Sequence, residues 1–257
     1  MVYDTWKQYL EELADPENID VASLVQKDSL NPDFWEGQGL NPLIADRLYK
    51  IAKAFFESLR LDSNIKLKDV ILTGSLASYS WSELSDIDLH ILIDFEQLSD
   101  FELYQDYFRQ KSINWNRTHD IRIRGYEVEV YVQDSNEAHY AKGIYSISKD
   151  KWLLTPSKYN KQIDFDSVKR KTSTLMVQID DVYEYYADKK YSQALDMAEA
   201  LMEKIKKYRR IGLEDEGVYS IENLVFKVLR RNDYLKKLSS LKILSYDKKM
   251  SINGEHS

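Results

Sequence analysis

Polar and apolar residues alternate along residues 86–93, where Asp86, Asp88 and His90 interleave with Ile87, Leu89, Ile91 and Ile93. A period of two predicts a strand with the apolar set on one face and the two carboxylates on the other. The pattern recurs after a turn at Gly125. Tyr126, Val128, Val130 and Val132 share one face, Glu127, Glu129 and Tyr131 the other, and with Ile121–Arg124 they predict a hairpin. Asp69–Leu72 reads as a short strand leading into Gly74-Ser75, followed by one or two helical turns over Leu76–Trp81. Helical spacing appears where Asn41 caps and Pro42 opens a segment with Leu43, Ile44, Leu48, Ile51, Ala52, Phe55 and Leu59 on one face. Leu98–Lys111 reads as a further helix, and Val2–Leu13 as a short amphipathic one ended by Asp15-Pro16. Beyond Pro156 the strand pattern gives way to helical periods at roughly 165–187, 191–210, 220–230 and 232–240.

These patterns predict an α+β chain in two parts. One domain spans 1–160, with an N-terminal helical extension before its sheet, and a small helical bundle spans 161–257. Charge supports a boundary near Pro156–Asp164. Residues 1–164 hold 18 Lys and Arg against 28 Asp and Glu, whereas 165–257 hold 18 against 15. The chain as a whole, at −7, does not suit nonspecific coating of nucleic acid, while the mildly basic second part leaves room for an anionic substrate. With 43% hydrophobic residues, 19 tyrosines and 5 tryptophans there is material for a core. The absence of cysteine excludes disulfides, thiolate zinc sites and cysteine nucleophiles. No apolar run approaches the roughly 18 residues of a membrane span, and Met1–Leu13 is too charged for a signal peptide. A soluble, cytoplasmic protein is expected.

Asp86 and Asp88 carry the chemistry. Two carboxylates two residues apart on a strand project together, within reach of one metal ion. Like charges so placed repel unless a proton or cation lies between them, and hard divalent cations prefer carboxylate oxygen. Magnesium with a phosphate substrate is the inference. Either Glu127 or Glu129 can supply a third carboxylate from the hairpin.

The pattern Gly74-Ser75, nine residues, Ser85-Asp86-Ile87-Asp88-Leu89, then Glu129 on a later strand resembles the nucleotidyltransferase superfamily typified by DNA polymerase beta. The resemblance covers about residues 66–133. It implies a small mixed or antiparallel sheet flanked by helices and followed by a helical domain. It also implies that Asp86 and Asp88 hold two Mg2+ ions, for which Mn2+ can substitute. Gly74 and Ser75 would contact the phosphates of an NTP, Ser75 from the mouth of the following helix. Glu129, ahead of its competitor Glu127, would complete the metal site or take the acceptor proton. Members use Asp at this third position more often than Glu, the residue present here. The implied reaction is transfer of a nucleoside monophosphate to a hydroxyl with release of pyrophosphate. The basic second part favours RNA or another nucleotide as acceptor over a small molecule or a protein hydroxyl.

The same fold also serves noncatalytic nucleotide- or partner-binding proteins, such as toxin–antitoxin components, a reading against which intact Asp86 and Asp88 count. A phosphohydrolase would more typically show histidine–aspartate ligand pairs, and the four histidines here match no ligand spacing. Tyr145, Ser146 and Trp152 are candidates for base or ribose contacts, with core packing as the default. The basic residues of 203–210 and 227–237, with Asn223 beside them, are candidates for phosphate or base contacts, against ordinary solvated helix faces.

Overall fold

The structure is a computed structural model that describes residues 14–98, 101–137 and 141–252. The expected helix at Val2–Leu13 lies outside the described residues. Contacts group the chain into two compact units, Ser23–Asn160 and a second that joins the described residues 14–22 to 161–252. Among the described residues no helix is long and apolar enough to cross a membrane.

The first unit opens with a two-stranded hairpin, β1 (Trp35–Glu36) and β2 (Gly39–Leu40), followed by α1 (Pro42–Ser58). Asn41 Oδ1 accepts from the Leu43 N–H at 3.0 Å, and Pro42 occupies the first turn, where its missing donor costs nothing. Replacing Asn41 by Ala is expected to cost about 1 kcal/mol of stability, read as a lower urea midpoint at unchanged slope. Ile44, Leu48, Ile51, Ala52, Phe55 and Leu59 are buried as the spacing requires, but Leu43 is 78% exposed. At the first turn its side chain falls outside the buried stripe and carries no core.

A six-stranded mixed sheet follows, formed by β3 (Leu67–Thr73), β4 (Ile87–Ile93), β5 (Arg122–Ile123), β6 (Tyr126–Asp134), β7 (Ile144–Ser146) and β8 (Lys151–Leu154). The strand order is β5-β6-β4-β3-β7-β8; only β4 and β6 run parallel. A parallel pair needs a crossover, and α2 (Phe101–Thr118) supplies it. The β5–β6 turn places both Arg124 (φ 54°) and Gly125 (φ 89°) in the left-handed region, the backbone of a type I′ hairpin. Along β6 the Asn116 side chain takes the part of a neighbouring strand for Val130, its Oδ1 accepting from the Val130 N–H (2.9 Å) and its Nδ2 donating to the carbonyl (3.3 Å).

Ile87, Leu89, Ile91 and Ile93 are fully buried and join Val70, Leu72, Val128 and Val130 in one core beneath α1 and Phe108 of α2. Each such side chain contributes about 1.5–3 kcal/mol relative to exposure. The opposite face carries Thr73, Asp88, His90, Glu129, Tyr131 and Gln133, with a smaller apolar cluster of Ile71, Leu92 and Ile144 beside them. Helices on one face leave the alternate residues to do chemistry on the other. Tyr145 and Ser146, candidates for nucleotide contact, are instead buried. The Tyr145 ring packs edge-on against Trp35 and its hydroxyl donates to Asp150, while Ser146 donates to the buried Asp69. Trp152 stacks on Trp35 at 4.5 Å and donates Nε1–H to the Gln38 carbonyl.

The described residues of the second unit include the α-helices α3 (Phe165–Ala187), α4 (Tyr191–Asp215), α5 (Ile221–Arg231) and α6 (Tyr234–Met250). Asp164 and Ser220 cap α3 and α5 through their side chains. The expected periods locate all four, with α6 running ten residues further than the pattern suggests. Asn223, a candidate base reader, is 2% exposed and spends its amide on the Val218 carbonyl and on Arg209. The α+β plan, a mixed sheet with helices and a helical C-terminal region, is the one expected.

Candidate active site

The site is built on two sheet neighbours and the turn that joins β3 to β4. Antiparallel pairing places Thr73 opposite Asp88, so the next residue, Gly74, turns directly over that carboxylate. Gly74 has φ +73°, and a Cβ there would lie 1.7 Å from Asp88 Oδ2. Both the left-handed backbone and the close approach demand glycine.

The expected helix over Leu76–Trp81 does not form; these residues are turns and bends. Short hydroxyl side chains compete with a helix by bonding nearby backbone groups. Ser78 Oγ donates to the Ser75 carbonyl at 3.1 Å, and the Ser82 N–H donates to Ser85 Oγ at 3.0 Å. Residues 27–35 then hold the turn from outside. Trp35 Nε1–H donates to the Leu76 carbonyl, Trp81 Nε1–H to the Ser29 carbonyl and the Lys27 N–H to the Tyr79 carbonyl, each at 2.8 Å. Ser75 therefore does not stand at a helix mouth. Its hydroxyl donates to Ser85 Oγ at 2.8 Å, which ties the Gly-Ser turn to the residue before Asp86.

Asp86 immediately precedes β4 and Asp88 lies within it, both half-buried, with the apolar residues of the strand turned to the core. The parallel β4–β6 register sets Asp88 beside Glu129 and His90 beside Tyr131. Glu127 shares the face of Glu129, but its carboxylate lies 3.5 Å from the Arg122 guanidinium. Glu129 Oε2 accepts a hydrogen bond from the Tyr131 hydroxyl. His90 Nδ1 lies 2.9 Å from Gln133 Oε1, and the His90 and Tyr131 rings are 5.2 Å apart.

Electrostatics links the carboxylates to one neighbouring hydroxyl. Burial pushes the Tyr131 phenol up from its ordinary range; the hydrogen bond to Glu129 and the charges of Glu129, Asp88 and Asp86 push it further. One hydroxyl thus senses all three carboxylates. In donor type, carboxylate oxygens brought to one sheet face, the arrangement fits a hard divalent cation. Among the described residues no three His, Cys, Asp or Glu groups stand close enough together to hold a metal ion.

The chain also compares with known families. Residues 52–152 match the nucleotidyltransferase domain family. The match runs from the middle of α1 into β8, and the nucleotidyltransferase resemblance seen over residues 66–133 lies inside it. It supports nucleotidyl transfer as the general chemistry, with an NTP as donor. No characterised protein and no solved structure matches the chain significantly.

Within the matched segment, sequence reasoning placed Tyr131 on the correct face without giving it a role. Its signal was the two-residue step from Glu129; the hydrogen bond and the His90 neighbour needed the parallel register. The bracing by Lys27, Ser29 and Trp35 had no local signal, because those residues reach the turn across more than forty positions of chain.

Proposed function

We propose that the domain transfers a nucleoside monophosphate from an NTP to an acceptor hydroxyl. The acceptor oxygen forms a bond to the α-phosphorus, the bond from that phosphorus to the α–β bridging oxygen breaks, and pyrophosphate leaves with the electron pair. The observation that carries this reading is Asp88 directly beneath Gly74, with Glu129 beside it in the parallel β4–β6 register.

Asp86, Asp88 and Glu129 would hold divalent cation, Mg2+ or Mn2+. Bound there, it would neutralise triphosphate charge and lower the pKa of the acceptor hydroxyl. Glu129 is preferred to Glu127 because the latter is paired with Arg122 at the exposed hairpin. Gly74 lets a phosphate approach the backbone without meeting a side chain. Ser75 would offer its N–H and hydroxyl to the β- and γ-phosphates, exchanging its present bond to Ser85 for one to an anion. Asp86 and Asp88 would orient the triphosphate, and Glu129 would complete the metal site or receive the acceptor proton. The division into a catalytic part ending near residue 160 and a helical part after it follows the same plan. The more basic composition of 165–257 favours RNA or another nucleotide as acceptor.

The test incubates purified protein with each α-labelled NTP, Mg2+ and total cell extract, and follows both the labelled class of molecule and pyrophosphate. Label should move to one class of acceptor with stoichiometric pyrophosphate, and chelation by EDTA should stop it. Binding of NTP with no label transferred under any condition would replace this reading by the noncatalytic one.

A further inference from the structure

We propose that Tyr131 is a latch on Glu129, its hydroxyl holding that carboxylate away from Asp86 and Asp88 until a divalent cation competes for it. This rests on the reading of Asp86, Asp88 and Glu129 as cation ligands. Glu129 stands beside Asp88 across the β4–β6 ladder, with Asp86 toward one end of the face and His90 and Tyr131 toward the other. Donation from Tyr131 draws the Glu129 carboxylate toward the His90 end, opposite to Asp86. Tyr131 is itself held in place. Its ring lies against His90, whose Nδ1 is engaged by Gln133, and Tyr131 and Gln133 together line a cavity of about 300 Å3 beside α2.

The arrangement has a physical use. Three carboxylates on adjoining positions repel when no cation is bound, and a neutral donor on one of them separates it from the other two at little cost. Binding a cation with all three must exchange the phenol–carboxylate hydrogen bond for a carboxylate–metal contact. Part of the binding free energy is then spent on release, which weakens cation affinity relative to a site without the phenol. A hydrogen bond to a charged group is strong enough to make that difference about tenfold in affinity.

Calorimetric titration of the full chain with Mn2+ tests this without reference to turnover. Tyr131→Phe removes the donor and keeps the ring, and should bind Mn2+ about tenfold more tightly than the natural chain. In a Glu129→Gln background the same replacement should change nothing, because no carboxylate remains to be released. An affinity unchanged or weakened by Tyr131→Phe, or a gain of equal size in both backgrounds, overturns the latch. Asp88→Asn distinguishes the two levels of argument. If Asp88→Asn binds Mn2+ like the natural chain, the cation reading fails; if it loses binding while Tyr131→Phe gains none, the latch fails alone. Should Tyr131→Phe not unfold cooperatively, Tyr131→Leu also lacks the donor and is read by the same criteria.

Discussion

Asp88→Asn should lower α-phosphate incorporation from NTP by at least about 100-fold while the protein unfolds at the same temperature or slightly higher. Loss of an outer residue that merely orients a metal ligand costs about 10–100-fold, so loss of an anionic ligand itself should cost no less. An amide keeps the shape of the side chain but offers the cation no negative charge. Stability moves the other way because Asp88 lies beside Glu129 in the β4–β6 register, and Asp86 shares its face. Removing one of three like charges relieves repulsion. Incorporation and thermal unfolding are measured on the same preparation. Turnover at the natural level would take Asp88 out of the mechanism, and a collapse of the unfolding transition would make it a structural residue.

Gly74→Ala should damage both fold and activity, through one atom. Its left-handed φ of +73° costs an alanine about 1–2 kcal/mol, and the new Cβ would sit 1.7 Å from Asp88 Oδ2. The carboxylate has to move, yet its backbone is fixed on both sides by β3 and β6. A stability loss of about 2 kcal/mol or more is expected, with turnover falling toward that of Asp88→Asn. Gly37→Ala is the internal control. Gly37 also has a left-handed φ, +65°, but nothing lies within 4 Å of the point where an alanine methyl would stand, so the backbone cost should appear without loss of turnover. Denaturant unfolding and NTP turnover of the two variants separate strain from obstruction. Equal activities in the two would detach Gly74 from the site.

Particular residues show how far local pattern reaches. Ile87, Leu89, Ile91 and Ile93 announce a strand with one buried face, and a strand that buries that face must turn Asp86 and Asp88 the other way. The Asn41-Pro42 start of α1 and the left-handed Arg124-Gly125 turn were legible for the same reason, since caps and turns are decided by a few adjacent residues. Leu76–Trp81 misled because its apolar residues suit a helix, whereas the tryptophan donors of residues 35 and 81 and the serine hydroxyls hold the backbone in turns. The three-residue β7 is too short to show a period, so its buried Tyr145 and Ser146 stayed candidates for ligand contact beside the default reading of core packing.

Composition and periodicity alone determined the α+β plan, the helices after residue 160 and the strand face that Asp88 shares with His90. All of these depend on neighbours within about one turn or one strand. Only the tertiary structure decided that Glu129 rather than Glu127 stands beside Asp88, that Tyr131 holds Glu129, and that residues 27–35 brace the Gly74 turn. Those facts depend on which strands pair and in what register. Register is set by the burial of whole faces and by a crossover helix, quantities that no short stretch of chain contains.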